Sequence, residues 1–466
     1  MARGLIAVRT VRSIGQGMLS VDFVLYLHAL GWTAAAIGAL LSGSALVGAG
    51  LILSVGPLSD RFGRRPFLLA YQVLMVIGTA LILWVPGPFV LGAVATVLGF
   101  GRGANGTAGP FGPAEQAWMA QSVPARDRGS VFSLNNGAAF AGMGVGALLA
   151  GVAAAFFVPD GRLAAYVAAF VLTGGLALVN LGQLVFLPEH RPAQPSGESR
   201  SGQRPEADEA GMEPLLPGDD LSDDDRGRPL RVRIADGARG DSLSHPGFRS
   251  ASEEARPEST DGLRHARRVR HEENIRLMHL VLVNAINAVG IGMVGPLIPY
   301  WFSVRFGIGP EAIGPIYALT FFATAVSSFV TGALIVRAGL VRSVVGTRIL
   351  GLASLLGMAI APGYALAAAL YILRSVMNRG SAGARQALSM GLVGDRRRGF
   401  ASSLNALSMR LPSALGTALS GVLFSLGSFT LPFVFAAAMQ LGYLVLFQRV
   451  LGRYEGMATG EETDPA

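Results

Sequence analysis

The sequence lacks cysteine and lysine altogether, and charged residues make up only 15% of it. Without cysteine the chain can form neither a disulfide nor a thiolate metal site, so thiol chemistry is excluded. The shortage of charge, with 51% hydrophobic residues and a mean hydropathy of +0.47, excludes an ordinary soluble protein of 466 residues. Lipid is therefore the expected solvent for most of the chain.

The net charge of +8 would fit a nucleic-acid-binding protein, but the arginines lie in short loops between apolar segments. Membrane topology explains that distribution better. The sequence has no Gly-Lys-Ser/Thr phosphate loop, its six histidines are scattered, and no catalytic constellation lies at mid-membrane depth. We therefore expect that the chain binds no nucleic acid, metal, cofactor or ATP and that it is not an enzyme.

Apolar stretches recur along the chain, each near the roughly 20 residues that a helix needs to cross a bilayer. This pattern predicts an all-α integral membrane protein with twelve transmembrane helices. They lie near residues 12–30, 35–56, 66–85, 89–120, 130–157, 162–187, 277–303, 311–336, 341–361, 364–392, 399–426 and 429–451.

A polar segment separates the first six helices from the second six. Its Ser-, Gly-, Pro-, Asp-, Glu- and Arg-rich composition cannot bury enough apolar surface to fold. We predict a six-helix bundle at 1–187, a cytoplasmic disordered linker at 188–274, a second six-helix bundle at 275–452 and a cytoplasmic tail at 453–466. A small regulatory domain is the alternative for the linker.

The arginines of the short loops predict the orientation. One set of alternate loops holds about ten arginines, whereas the other holds Arg162 and Arg305. Because arginine is enriched in cytoplasmic loops, both termini and the linker should be cytoplasmic, in a plasma or inner membrane.

The second half repeats the first in sequence. Ile37-Gly38 matches Ile313-Gly314 at an offset of 276, Gly17-Met18 matches Gly292-Met293 at 275, and Gly151 matches Gly421 at 270. Both halves have six helices and so share one orientation, which predicts two bundles related by a pseudo-symmetry axis along the membrane normal.

The loop after the second helix reads Gly56-Pro57-Leu58-Ser59-Asp60-Arg61-Phe62-Gly63-Arg64-Arg65. With the duplicated six-helix plan, this motif resembles that of the major facilitator superfamily. The resemblance implies that Gly56, Asp60, Arg61, Gly63, Arg64 and Arg65 form a cytoplasmic gate between the halves. Glu115 is expected to pair with the loop arginines; the alternative is that these arginines only anchor the topology.

Helix 4 carries Arg102-Gly103-Ala104-Asn105-Gly106, which is similar to the Arg-x-x-Gln-Gly motif of proton-coupled members. The resemblance is closest to the drug:proton antiporter branch. Ionisable groups near mid-membrane are costly and by default functional, so Arg102, Asn105 and the repeat mate Arg374 are candidates for binding substrate or assisting proton transfer. Neutralising a buried carboxylate is the alternative role for Arg102.

Asp22 is the carboxylate well inside the first helix. We expect Asp22 to exchange a proton or to bind a cationic substrate, with Arg102 as its neighbour; a water-exposed position near the helix end is the alternative.

Helix 5 is rich in glycine, with Gly142, Gly146 and Gly151, as in family antiporters. The proline that follows a glycine in the exporter motif is replaced by Met143, which weakens the indication of antiport; a proline, Pro412, appears instead at the repeat mate of Gly142.

Further polar residues are candidates for lining a cavity, with hydrogen bonding between helices as the alternative. They are Gln16, Tyr26, Asn284, Asn287 and Asn378.

The expected function is alternating-access transport of a small solute, as proton-coupled export of a drug-like compound or metabolite by a monomer in contact with lipid. Uptake of a sugar or organic ion, or a non-transporting membrane sensor on the same fold, are the alternatives.

Overall fold

In the computed structural model, the described residues are 2–85, 87–101, 112–124, 128–157, 162–187, 260–338, 340–380 and 398–451. Regular secondary structure over these ranges is helical and contains no strand, which confirms the all-α prediction. The helices of the first half are α1 (Ala2–Ala29), α2 (Ala34–Phe62), α3 (Arg65–Trp84), α4 (Pro88–Leu98), α5 (Gly112–Gln121), α6 (Arg128–Phe157) and α7 (Arg162–Phe186).

The helices of the second half follow the same plan. They are α8 (Thr260–Val294), α9 (Ile298–Phe306), α10 (Pro310–Ala338), α11 (Leu340–Ala359), α12 (Tyr364–Gly380), α13 (Arg398–Ser425) and α14 (Leu431–Leu446), with a π-helical turn at Phe447–Leu451. Helix α8 begins at Thr260, so residues 260–274, which the sequence analysis assigned to the linker, are helical.

Local sequence explains where these helices begin and end. Helix α2 follows Thr33, whose hydroxyl oxygen accepts a hydrogen bond from the Ala36 amide at 3.2 Å. It ends before Gly63, whose φ of 95° is a conformation that favours glycine. The sequence predicted the first helix from residue 12, but α1 begins at Ala2 and includes Arg9 and Arg12, which are buried rather than exposed.

Two of the predicted spans are interrupted. Helix α4 ends at Leu98, and the chain continues through Gly99 and Gly101, with φ of 81° and 76°. Helix α8 ends at Val294 because Pro296 lacks the amide hydrogen that would continue the ladder. Interrupted helices are a common feature of transporter binding sites.

The outer surface of the helices is apolar. Among the described helices, six are long and apolar enough to cross a membrane. They are Ala34–Val55, Arg65–Trp84, Ser130–Phe157, Leu163–Phe186, Leu277–Phe306 and Leu431–Arg449. Large side chains such as Phe89 and Phe186 are 92% and 86% exposed, which is typical of a surface that lipid covers.

Glycines repeat the same helix contact in both halves. A Cβ on Gly146 of α6 would collide with the Ile14 carbonyl oxygen of α1, and a Cβ on Gly416 of α13 would collide with the Val289 carbonyl oxygen of α8. Both pairs differ by the offsets found in the sequence, 270 and 275. The backbones therefore approach closely at matched positions in both halves, as the predicted internal repeat requires.

Candidate functional site

Asp22 lies in the interior of α1 and is only 3% exposed. It shares a helix face with Gly15 and Tyr26, seven residues before it and four residues after it. Those two residues contact Thr173 and Phe170 of α7, so Asp22 is on the face of α1 that packs against α7. Within the described ranges, no residue is hydrogen-bonded to or ion-paired with the Asp22 carboxyl group.

Arg102, the predicted neighbour of Asp22, and the site candidate Asn105 lie outside the described residues. The chain just before them is held in place. The Tyr71 hydroxyl donates to the Leu98 carbonyl oxygen at 3.3 Å, where α4 ends. The Phe100 ring packs against Phe23 and Phe170, with centroids 5.8 and 6.0 Å away. The interruption of the fourth span thus contacts both α1 and α7.

The sequence analysis placed Glu115 with the loop arginines, and the structure corrects that pairing. Glu115 of α5 is buried and forms a hydrogen-bonded salt bridge with Arg12 of α1. The Arg9 Nε atom lies 3.9 Å from the same carboxylate. We call Arg9, Arg12 and Glu115 the ion cluster; it holds two buried cations and one carboxylate.

The loop arginines have other contacts. The Arg65 guanidinium donates to the carbonyl oxygens of Leu184, at 3.1 Å, and Val185, at the end of α7. Arg61 is exposed and lies 5.5 Å from the centroid of the Phe62 ring. Arg65 therefore joins α3 to α7 within one half, which favours an anchoring role. The side chain of Asp60 is not described, and neither are the surroundings of Gly56.

In the second half, both predicted asparagines of α8 form hydrogen bonds between helices. The Asn284 amide donates to Asn405 Oδ1 at 2.7 Å and to Ser408 Oγ at 3.2 Å, both on α13. Asn287 Oδ1 accepts from Arg348 of α11 at 3.1 Å. These contacts agree with the interhelical alternative rather than with a cavity lining.

The sequence analysis missed Arg348, although an arginine seven residues inside the apolar segment 341–361 was the signal for it. Arg348 is 1% exposed and also lies over the Tyr443 ring of α14, 5.1 Å from its centroid. It therefore connects three helices of the second half.

Arg374 of α12 is buried among aromatic residues. It is 5% exposed, and its electrostatic neighbours are Tyr371, Tyr317 and Arg379. The rings of Tyr317 and Tyr371 lie 5.3 Å apart. Arg379 lies over Phe321, 5.2 Å from the ring centroid. Among the described contacts, Asp22 and Arg374 are not brought together.

The remaining candidates for lining a cavity are distributed across the bundle. Gln16 is half-buried on α1. Tyr26 packs against Tyr166 and lines a pocket at the α1, α3 and α4 ends with Trp32 and Leu91. Asn378 lies beside Gly351, where an added Cβ would be 3.1 Å from the amide oxygen.

The two halves contact each other through repeat-matched glycines. A Cβ on Gly38 of α2 would lie 2.9 Å from the Cα atom of Gly421 on α13. A Cβ on Gly314 of α10 would lie 2.7 Å from the Cα atom of Gly151 on α6. One turn from Gly38, the Ser42 hydroxyl donates to the Ala414 carbonyl oxygen at 2.7 Å. We call these four glycines the glycine contact; all lie near the ends of their helices.

The fold and its buried polar groups define a membrane-spanning transporter with two related halves. The sequence profile of the Major Facilitator Superfamily matches residues 5–253 and 280–463, so the chain belongs to that family. It is therefore a transporter and not an enzyme.

Curated relatives match short parts of the chain. Multidrug resistance protein MdtH of Yersinia enterocolitica is 30% identical over 132 residues, which are 28% of this chain and 31% of that protein. Inositol transporter 4 of Arabidopsis thaliana is 31% identical over 104 residues, 22% of this chain and 16% of that protein. The chain thus spans less than a third of either relative.

Solved structures match almost the whole chain. The nucleoside transporter NupG has a TM-score of 0.62 at 10% identity, over 96% of this chain and 99% of that chain. A D-xylose-proton symporter has a TM-score of 0.59 at 15% identity, over 96% and 97%. A bacterial homologue of the human lysosomal transporter Spinster has a TM-score of 0.58 at 13% identity, over 100% and 98%. These identities support the shared fold alone.

Proposed function

We propose that the chain exports a drug-like compound or metabolite in exchange for protons, by alternating access. The observation that carries the proposal is Asp22, a buried carboxyl group without a partner among the described residues. A carboxyl group inside a membrane is costly as an anion, so its proton must be taken up or released when access changes sides. The name of the relative MdtH, a multidrug resistance protein, supports a drug-like substrate.

Both termini are proposed to be cytoplasmic. In the predicted topology they lie on the same side of the membrane as the arginine-rich loops, and arginine is enriched in cytoplasmic loops. Under this topology the glycine contact lies at the extracellular or periplasmic end. Gly38 and Gly314 are near the first residues of α2 and α10, and Gly151 and Gly421 are near the last residues of α6 and α13. Closure at that end corresponds to a state in which the substrate site is open to the cytoplasm.

The cytoplasmic gate of Gly56, Asp60, Arg61, Gly63, Arg64, Arg65 and Glu115 is proposed to close in the opposite state. Glu115 would then act through the ion cluster rather than by contact with the loop. Its partners, Arg9 and Arg12, lie on α1, the helix that also carries Asp22. A movement of α1 would thus displace both Asp22, the proposed proton site, and the arginines that bind Glu115 of the gate.

Uptake of a sugar or organic ion is the second candidate. A D-xylose-proton symporter and a nucleoside transporter share the fold, and proton-driven uptake would use Asp22 in the same way. The relative direction of the two fluxes distinguishes the candidates, because an exporter of this kind moves solute and proton in opposite directions, whereas a symporter moves them in the same direction. A membrane sensor, the third candidate, would show no flux at all.

The test measures the pH inside proteoliposomes challenged with cationic, neutral and anionic solutes. We expect solute-driven proton movement in the wild type and none with Asp22→Asn. The matched control is Glu311→Gln, which removes an exposed carboxylate at the start of α10 and should retain coupling. Coupled transport that survives Asp22→Asn would refute the role of Asp22.

A further inference from the structure

The second half has a surplus of buried cations. Between residues 275 and 451 the only acidic residues in the sequence are Glu311 and Asp395. Glu311 is exposed at the start of α10, where Oε1 accepts from the Gly309 amide at 3.2 Å. Asp395 lies outside the described residues. Among the described residues of this range the carboxylate is an exposed one, so the arginines inside these helices must be stabilised there by other groups.

Two buried arginines elsewhere in the described structure have a stabilising partner. Arg12 has Glu115, and Arg348 has the Asn287 amide oxygen and the Tyr443 ring. Arg374 differs from them. No described residue accepts a hydrogen bond from its guanidinium, its Nε atom is buried without a partner, and a second cation, Arg379, is among its neighbours. A buried cation of this kind is costly unless an anion binds it.

Arg374 also lies at a suitable depth. It is ten residues from the first residue of α12, about 15 Å at the rise of an α-helix. That is about half of a 30 Å hydrocarbon core, the level at which transporters of this type bind their substrates.

Aromatic rings continue from Arg374 to the other half of the chain. Tyr371 and Tyr317 are followed by Phe321, whose centroid lies 5.8 Å from that of Tyr317. Phe140 of α6, in the first half, stacks on Phe321 at 6.5 Å. Tyr317 and Phe321 are buried in this structure. A substrate that enters when the halves move apart would therefore meet two cations, Arg374 and Arg379, and aromatic rings from both halves.

We infer that Arg374 binds the carboxylate of an aromatic organic acid, whose ring packs against Tyr317, Phe321 and Phe140. The planar guanidinium matches a carboxylate with two parallel hydrogen bonds. This inference rests on the proposed function, because it names the substrate class for the same transporter. A phosphate dianion fits less well, because it has no ring to pack against Tyr317, Phe321 and Phe140.

Binding of 2-naphthoate to the purified full chain, measured by calorimetry, tests the inference. Its uncharged analogue 2-naphthamide, the cation 2-naphthylmethylammonium and inorganic phosphate complete the panel. In the wild type, naphthoate should bind at least roughly tenfold more tightly than the other three, as expected for a charge-assisted pair. With Arg374→Gln the preference should disappear, and Arg374→Lys should restore part of it.

The matched control is Arg305→Gln, which removes an exposed arginine at the end of α9 and should leave naphthoate binding unchanged. Equal affinities for naphthoate and naphthamide, or unchanged naphthoate binding in a folded Arg374→Gln protein, would overturn the inference. If Arg374→Gln fails to fold, the Arg374→Lys protein tests the inference instead. The ratio of its naphthoate affinity to its naphthamide affinity should be smaller than the wild-type ratio.

Failure of the inference and failure of the proposed function give different results. Proteoliposomes that transport the cation but neither bind nor transport naphthoate would retain the transporter and refute the substrate class. Selective naphthoate binding without flux of any solute would support the site and refute the proposed transport.

Discussion

Arg9, Arg12 and Glu115 place two cations and one carboxylate in a buried site between α1 and α5. The three residues therefore differ in what their removal leaves behind. Loss of Glu115 leaves two buried cations without a partner, whereas loss of Arg9 leaves the Arg12–Glu115 pair intact. The stability of the ion cluster should follow this asymmetry.

Glu115→Gln should be the most destabilising single change in the ion cluster, by about 3–5 kcal/mol, as for a broken buried pair. Arg9→Gln should cost less than about 1 kcal/mol, because it removes the surplus cation. Thermal unfolding in detergent measures both, with the exposed Arg3→Gln as the control. Equal losses for Glu115→Gln and Arg9→Gln would show that the cluster is not organised around the carboxylate.

The ion cluster also shows what could not be predicted at the residue scale. Arg9 and Arg12 precede an apolar segment, so in the sequence they look like topology anchors at the membrane surface. Their partner is 103 residues from Arg12, and sequence spacing does not reveal such a contact. Asp22 and Arg374 were predicted as site candidates because a charge inside an apolar segment is conspicuous without knowledge of its partner.

At the scale of elements, the glycine contact joins α2 to α13 and α6 to α10. The repeat in the sequence predicted that Gly38 corresponds to Gly314, and Gly151 to Gly421. It did not predict that Gly38 meets Gly421 or that Gly314 meets Gly151. A repeat establishes which positions are equivalent, while packing between the two copies determines which of them touch.

A larger side chain at Gly38 should separate the halves at the glycine contact. Gly38→Val would place methyl groups against the α13 backbone, and overpacking of this kind costs about 1–3 kcal/mol. The closed state should lose that amount relative to the open state. Because the chain has no natural cysteine, Ser42→Cys can report the opening through labelling by a membrane-impermeant maleimide.

Labelling of Ser42→Cys from outside should be roughly tenfold faster in the Gly38→Val background, corresponding to ~1.4 kcal/mol. Gly50→Val is the control, because an added Cβ on Gly50 of the same helix has nothing within 4 Å. Equal labelling in both backgrounds would mean that the glycine contact does not hold this end closed. Labelling only from the inside would reverse the proposed orientation.

At the scale of the whole molecule, composition and the recurring apolar segments were sufficient to predict an all-helical membrane protein, and the matched residues of the internal repeat predicted its two related halves. The interruptions of the fourth and seventh spans were not predicted, because hydropathy does not register a glycine at positive φ or a proline inside an apolar run. Gly99, Gly101 and Pro296 were visible signals. The pairing of Asn284 with Asn405 required the packed bundle.

Deletion within the linker distinguishes a transporter from the membrane sensor that is the alternative function. The proposed proton site, the ion cluster and Arg374 all lie within the helical halves, so transport should not depend on the middle of the linker. Removal of residues 201–250 leaves polar chain on both sides of the cut, and the loop-closure entropy of a connecting segment changes only slowly with its length. Solute flux into proteoliposomes should therefore stay within roughly twofold of the wild type, as expected when only loop-closure entropy changes.

A scrambled 201–250 segment of unchanged length is the control. Flux lost on deletion but kept with the scrambled segment would mean that linker length matters; flux lost in both, with the protein still in the membrane, would instead favour a regulatory or sensory role for that sequence.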